Sequence, residues 1–328
     1  MPANLPPEYF DAEQRYRAAK SPSEKTLCIE EMLRIIPKHK GTDKIRGGLR
    51  KRLSKLKTTA QAKKGISKRE SAFRIDKEGA GQVVLVGPAN VGKSSLVSSL
   101  TNAEPEISDF PHTTWTPTPG MMPIENIQIQ LVDTPPLNRD FMEPELLDMI
   151  RRPDYMLMVV DLQTDPVHQL EDSVAILHEH RIAPAHLKEH YPEQRGLTFI
   201  PFLVLANKFD DENFDENFEI FGELLEGEWP SLPVSATTGR NLEQLKRTLY
   251  EGLEIIRVYS KAPGKEADFK EPFVLKKGDT VKVFAGKVHQ DFTHKLKTAR
   301  VWGQGVYDGQ MVQQDHVLSD SDIVELNI

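Results

Sequence analysis

The chain of 328 residues contains one cysteine, so no internal disulfide can form and a reducing compartment is the expected setting. Cys28 lies among Leu27, Ile29, Met32 and Leu33, where a small buried hydrophobe is the expected role. No apolar run approaches the roughly 18 residues of a membrane-spanning helix. The first residues, MPANLPPEYF, lack the charged-then-apolar order of a secretory signal, and a cytoplasmic protein is the expectation. Net positive charge is also missing, at a formal −7, but the balance is uneven. From Lys38 to Arg69 there are thirteen Lys or Arg and one acid, Asp43, leaving −19 on the remainder. That pattern reads as a basic arm on an acidic body, and basic arms most often meet nucleic acid.

What is present, 38% hydrophobic and 28% charged residues, is the composition of a soluble globular protein long enough for two or three domains. Residues 1–74 read as a basic helical region. Ser21-Pro22-Ser23-Glu24 has the form of a capping box, followed by a helical face of Leu27, Met32, Leu33 and Ile36. A second helix carries Ile45, Leu49, Leu53 and Leu56 on one side and is weakened by Gly47-Gly48. Residues 75–260 alternate strand and helix. QVVLVG, NIQIQLVD, YMLMVVDL, FIPFLVLAN and PVSA read as strands, Val91 to Leu100 and Asn241 to Ile256 as helices. The pattern is α/β, a mostly parallel doubly wound sheet whose ligand sits beyond the carboxyl ends of the strands. KAPGK opens an expected linker, 261–270, and residues 271–328 read as a small α+β domain of their own.

Gly87-Pro88-Ala89-Asn90-Val91-Gly92-Lys93-Ser94 matches G-x-x-x-x-G-K-[ST] between a strand and a helix. Such glycines let backbone amides turn inward around phosphates; Lys93 supplies a charge to them and Ser94 a hydroxyl to magnesium. Ser95 follows in the same loop. Asp133, forty residues after Lys93, ends the strand NIQIQLVD, where its carboxylate would face the same magnesium. Asn207-Lys208-Phe209-Asp210 follows a buried strand, and the Asp210 carboxylate can accept from N1 and the exocyclic amine of guanine. Adenine lacks both donors, and a buried unpaired carboxylate costs several kcal/mol, so ATP is rejected. Ser235-Ala236-Thr237 would bring the Ala236 amide to the guanine carbonyl.

With these motifs in order the sequence resembles the Obg group of GTPases, and within it the developmentally regulated GTP-binding proteins. PHTTWTPTPG resembles that group's first switch, IPKHKGTDKIRGGLRKRLSKLK its basic amino-terminal region, and Glu271 to Ile328 a TGS domain of β-grasp fold. The resemblance implies a P-loop GTPase domain, GTP and GDP as ligands, Mg2+ held by Ser94, Thr114 and Asp133, and RNA or the ribosome as partner through the basic arm and TGS domain. The large domain that the group inserts into its GTPase fold is missing. A modest insertion around His178 to Arg195 holds His178, His180, His186 and His190, whose metal-binding reading competes with ordinary surface histidines.

The second switch departs from the usual GTPase pattern at Pro136: where Asp-x-x-Gly is usual the chain has Asp133-Thr134-Pro135-Pro136. The next residue, glutamine in Ras-like proteins, is Leu137, an apolar residue as in the Obg group. Proline has no amide to offer a γ-phosphate, and leucine cannot orient a water. Slow hydrolysis is expected, with Lys93, Thr114 and Asn90 as the catalytic residues. In relatives an asparagine at position 90 helps hold K+; here Asn90 either does so or only shapes the loop. A guanine-nucleotide-binding adaptor with little or no hydrolysis remains the alternative, as does an acidic protein partner for the arm.

Overall fold

The computed structural model describes residues 6–18, 22–36, 42, 46–53, 75–101, 116–139, 142–192 and 196–327. It divides into two compact units, Met1–Ala72 and Phe73–Ile328. In the first unit, α1 (Pro7–Ala18) and α2 (Pro22–Ile35) pack together, and residues 46–53 form a third helix, α3. Tyr9, Ala12, Ile29, Met32, Ile36 and Leu49 are its core, with Leu33 and Leu53 packed against it. Of the expected apolar faces, Met32, Ile36 and Leu49 are buried and Leu33 and Leu53 half-buried. The Ser21 cap, Ile45 and Leu56 lie outside the described residues.

The second unit is built on a six-stranded sheet. In chain order its elements are β1 (Gln82–Val86), α4 (Lys93–Leu100), β2 (Thr118–Ile124), β3 (Ile127–Asp133), α5 (Pro144–Ile150), β4 (Tyr155–Asp161) and α6 (Pro166–Glu179). They continue as β5 (Ile182–Pro184), β6 (Thr198–Ile200), β7 (Phe202–Asn207), α7 (Asp215–Leu224), β8 (Ser231–Pro233) and α8 (Leu242–Gly252). The sheet runs β2-β3-β1-β4-β7-β8, parallel except for the β2–β3 hairpin at its edge. Every residue of β1, β4 and β7 is buried, because helices cover both faces of a parallel sheet. Val84, Val86, Met156, Met158 and Val204 face α5, α6 and α7. Val83, Leu85, Leu157, Val159 and Leu205 face α4 and α8.

Three segment readings are corrected. FIPFLVLAN is two strands: Pro201 interrupts it, β6 pairs with β5 in a separate two-stranded sheet, and β7 alone joins the main one. The last strand is Ser231–Pro233, two residues earlier than PVSA, which leaves Ser235 and Ala236 in the loop beyond it. Finally, α8 stops at Gly252, and Ile255–Ser260, expected as helix end and GTPase-domain tail, forms strand β9 of a second sheet.

That sheet runs β10-β9-β13-β11-β12, with β10 (Phe273–Lys276), β11 (Thr298–Trp302), β12 (Gln310–Val312) and β13 (Asp322–Asn327). β9 and β13 are parallel neighbours at its centre. α9 (Val281–Val288) and α10 (Phe292–Lys295) follow β10, and α9 drives Val281, Phe284 and Ala285 into a core with Ile256, Val258, Val301 and Val324. The expected linker, 261–270, is instead the excursion between two paired strands, pinned by a Lys261–Ala267 bridge. Ile256 and Val258 explain the shift, since their side chains complete the second core. Phe284 is fully buried. Phe284→Ala should cost about 3–5 kcal/mol, read as an earlier urea midpoint in Trp302 fluorescence.

Candidate functional site

The carboxyl ends of β1, β3, β4 and β7 lie side by side, because the register sets Leu85 against Asp133 and Asp161 against Asn207. Between β1 and α4 the chain makes a turn that needs unusual backbone: Gly87 has φ 146°, Asn90 65° and Gly92 90°. A Cβ on Gly87 would lie 2.3 Å from the Val159 carbonyl, and one on Gly92 would lie 2.3 Å from Asn207 Nδ2. Glycine is required at both positions by space as well as by φ. Helix α4 then presents its amino end and carries no acidic residue in its first turn, a local field that favours an anion. The Lys93 amine folds back over the loop and donates to the carbonyls of Gly87 at 3.1 Å and Pro88 at 2.6 Å. It is only 5% exposed, and burial lowers its pKa to about 8 despite nearby Asp133. Such a lysine gains from the arrival of a polyanion.

Ser94 Oγ donates to Asp133 Oδ2 at 2.5 Å. The other carboxylate oxygen, Asp133 Oδ1, is buried with no hydrogen-bond partner, and burial raises the pKa of the group. A partnerless buried oxygen beside a hydroxyl at a helix start is a donor set that a hard cation such as Mg2+ fits. Thr114, the third expected ligand, lies outside the described residues.

The segment after Asp133 is tied down on its own account. Thr134 Oγ1 donates to the Leu85 carbonyl at 2.6 Å, and the Leu137 amide donates to the Gly87 carbonyl at 3.1 Å. The Leu137 side chain is buried in the core with Val84, Val86 and Val132. Pro136 has no amide hydrogen, and that of Leu137 is spent on the phosphate loop. Neither residue supplies a γ-phosphate donor or a water-orienting group in this arrangement.

At the end of β7, Asn207 joins two loops: its Nδ2 donates to the Val91 carbonyl at 2.8 Å, and its Oδ1 accepts from the Ala236 amide at 3.2 Å. Lys208, at φ 66°, pairs with Asp161 at 2.5 Å. Asp210 accepts from Ser235 Oγ at 2.6 Å on one oxygen and from Gln163 Nε2 at 3.1 Å on the other. Its carboxylate is thereby held with lone pairs to spare, as bidentate recognition of two adjacent N–H donors demands. Ser95 and Thr237 are exposed at the rim, and Arg240 stacks 3.8 Å over the Phe209 ring beneath. Sequence reading missed Asp161 and Gln163. Asp161 ends a buried strand as Asp133 does, which was the available signal; Gln163 has none.

Two of the four insertion histidines pack against aromatic rings. His178 stacks on Tyr191 and His186 meets the edge of Trp229. Among the described residues no three His, Cys, Asp or Glu side chains are grouped to hold a metal.

Residues 82–190 match the family model described as "50S ribosome-binding GTPase", and residues 256–327 match the TGS domain model. "Uncharacterized GTP-binding protein MJ1326" of Methanocaldococcus jannaschii is 31% identical over 92% of this chain and 91% of its own length. "Developmentally-regulated G-protein 1" of Arabidopsis thaliana is 26% identical over 91% of this chain and 89% of its own. The solved YchF GTPase of Schizosaccharomyces pombe, 14% identical, has a similar fold: TM-score 0.51, covering 77% of this chain and 99% of that one.

Two outcomes follow from the loop geometry. Gly92→Ala should destabilise the chain by about 1–3 kcal/mol through backbone strain and the clash with Asn207, with a matching loss of triphosphate binding in a fluorescence titration. Lys93 must be protonated to meet a polyanion, so triphosphate affinity should hold below pH about 8 and decline above it. Calorimetry in buffers of different ionisation enthalpy should find proton uptake rising through that pH. Stability of the ligand-free chain has the opposite sign: between about 8 and 10.5 the unfolded lysine binds more proton than the folded one, so this contribution rises with pH.

Proposed function

Because the chain belongs to the Obg and developmentally regulated family of GTP-binding proteins with a TGS domain, we propose that it is a slow GTPase that uses Mg2+ and acts on the ribosome or another structured RNA. The observation that carries the nucleotide reading is the Asn207 bridge. It ties the phosphate loop at Val91 to the Ala236 loop, whose Ser235 holds the Asp210 carboxylate. Gly87, Asn90, Val91, Gly92, Lys93, Ser94 and Ser95 form the phosphate cradle. Asn207, Lys208 and Asp210 select guanine, with Ser235, Ala236 and Thr237 closing over the base.

In the reaction, water attacks the γ-phosphorus, the bond to the β–γ bridging oxygen breaks, and GDP and phosphate leave. Lys93 places its charge against the β and γ groups, and Ser94, Asp133 and Thr114 would hold Mg2+, which neutralises phosphate charge when bound. Little in the second switch positions the water, since Leu137 is buried and Pro136 has no donor. Catalysis in isolation is therefore slow, and Asn90, with its exposed side chain, is the residue through which K+ would supply the missing charge. The same two residues favour the second reading, a guanine-nucleotide-binding adaptor that scarcely hydrolyses.

The RNA reading draws on the excess of twelve positive charges in the basic arm and on the family model's description. Arg50, Lys51 and Arg52 are exposed on α3, whose Leu49 is buried, so the helix keeps its cations outward. Among the described residues no helix is long and apolar enough to cross a membrane.

Single-turnover assays with and without K+ and ribosomes should show phosphate release that is faster with either addition; none under any condition would leave the adaptor reading. Asp210→Asn should weaken GTP binding and shift preference towards xanthine nucleotides in competition titrations. Replacing Arg50, Lys51, Arg52 and Lys55 by Gln should lower the slope of log affinity for ribosomal RNA against log salt by roughly 2–3. An unchanged slope would point to an acidic protein partner.

A further inference from the structure

The β2–β3 hairpin connects the two places where a nucleotide would be felt. β2 starts at Thr118, four residues after Thr114, and β3 ends at Asp133. The strands are paired over seven positions, from Thr118–Asp133 to Ile124–Ile127, so a shift at one end is carried along about 20 Å of backbone to the other. The hairpin closes with a two-residue turn, Glu125-Asn126, in which Glu125 has φ 50°. This turn is at the far end of the sheet from the phosphate loop.

The turn is held by the TGS domain. Asn126 Nδ2 donates to the Tyr259 hydroxyl at 2.9 Å and to the Phe269 carbonyl at 3.3 Å. The Glu125 carboxylate accepts from the Arg257 guanidinium. Arg257 is itself fixed by Asp320: Nη2 to Oδ2 at 2.8 Å, Nε to Oδ1 at 3.2 Å, and backbone N to Oδ1 at 2.7 Å. Tyr250, from α8 of the GTPase domain, donates its hydroxyl to the same Asp320 oxygen at 2.7 Å. Two residues of each domain thus share one charged network, and its strength shows in Asp320, whose pKa is pulled down to about 2 by these donors against the opposing effect of burial. Other ties between the domains lie away from the hairpin: Lys276 meets Asp154 at 3.8 Å before β4, and Ile255 and Val274 pack against the core beside α8.

The edge position gives β2, though not the doubly paired β3, freedom that the central strands lack. β1 and β4 also run from the TGS end to the nucleotide end, but each is paired on both sides, whereas β2 is paired with β3 alone. A helical cover and two neighbours fix β1 and β4; β2 has one ladder and the packing of Met122 in the core with α4.

We propose that the Glu125–Asn126 turn is a coupling joint: through it the TGS domain sets the position of the hairpin that ends at Asp133, so that magnesium-nucleotide binding and the state of the TGS domain report on each other. The inference rests on the magnesium and guanine-nucleotide reading above. Its reciprocity is thermodynamic: whatever holds the TGS domain in the orientation seen here changes affinity at the Asp133 end, and nucleotide changes the TGS domain by the same free energy.

The test uses the full chain and the double variant Glu125→Ala/Asn126→Ala, with Tyr259→Phe as a milder break that leaves the turn sequence intact. Hydrogen exchange is measured with and without a nonhydrolysable GTP analogue in Mg2+, and release of a fluorescent GDP is followed across a Mg2+ titration. In the unmodified chain, analogue binding should alter exchange within 261–270 and Ser319–Asp322. In the double variant that response should vanish, and the Mg2+ needed to slow GDP release should rise about fivefold, at the lower end of usual coupling strengths; Tyr259→Phe should fall between. If both variants bind fluorescent GDP, melt cooperatively and still transmit the analogue's effect to the TGS amides, the joint is refuted. The same holds if the unmodified chain binds analogue with no TGS response. Failure of the unmodified chain to bind fluorescent GDP at all is a different result: it overturns the nucleotide reading and this proposal with it.

Discussion

The nucleotide end of the molecule depends on one hydrogen-bonded side chain, that of Asn207. Its amide fills the space in which a residue at position 92 would place its Cβ, so the loop can turn there only as glycine. The same amide holds the Val91 carbonyl, and its oxygen holds the Ala236 amide. Three loops from three strands are thereby fixed by one residue that ends a fully buried strand. Without that bridge the phosphate cradle and the Asp210 carboxylate would be held separately, by Lys93 and Leu137 on one side and by Ser235 and Gln163 on the other. With it, their distance is a property of the sheet.

The second switch is organised on a different principle. In it, burial of Leu137 and the Leu137–Gly87 hydrogen bond make the start of the segment part of the core. A segment so held has little to gain from a third phosphate. The ordering that GTPases usually draw from the nucleotide is, at Leu137, supplied by packing and by a hydrogen bond to the phosphate loop. The tied-down segment is also continuous with β3, which ends at Asp133.

Much of this could be read in the sequence, for reasons that differ by residue. The cradle was legible because Gly87, Gly92 and Lys93 each meet a requirement no other residue type satisfies, and Asn207 and Asp210 because their chemistry is fixed by the base they would read. Asp161 and Gln163 were missed: their function is to hold Lys208 and Asp210, and partners of partners leave no spacing rule. Pro201 was read through because its flanks are equally apolar, although its missing amide divides the run between two sheets. β9 was hidden for another reason. Its isoleucines extend the apolar period of α8 without a break, and only the second core shows that Ile256 and Val258 belong elsewhere. Thr114 and much of the basic arm lie outside the described residues.

The position of β9 bears on how this chain could ever be divided. The stretch KAPGK looks like a seam between two domains, yet it follows the strand that pairs with both β10 and β13. A cut there would hand the amino-terminal piece a strand with Ile256 and Val258 exposed, and would leave the carboxyl-terminal piece with a gap in the middle of its sheet. The true seam is Leu253-Glu254, two residues between α8 and β9. A joint that short offers no slack, so the C-terminal domain is less a passenger on a tether than a second storey built on the same wall.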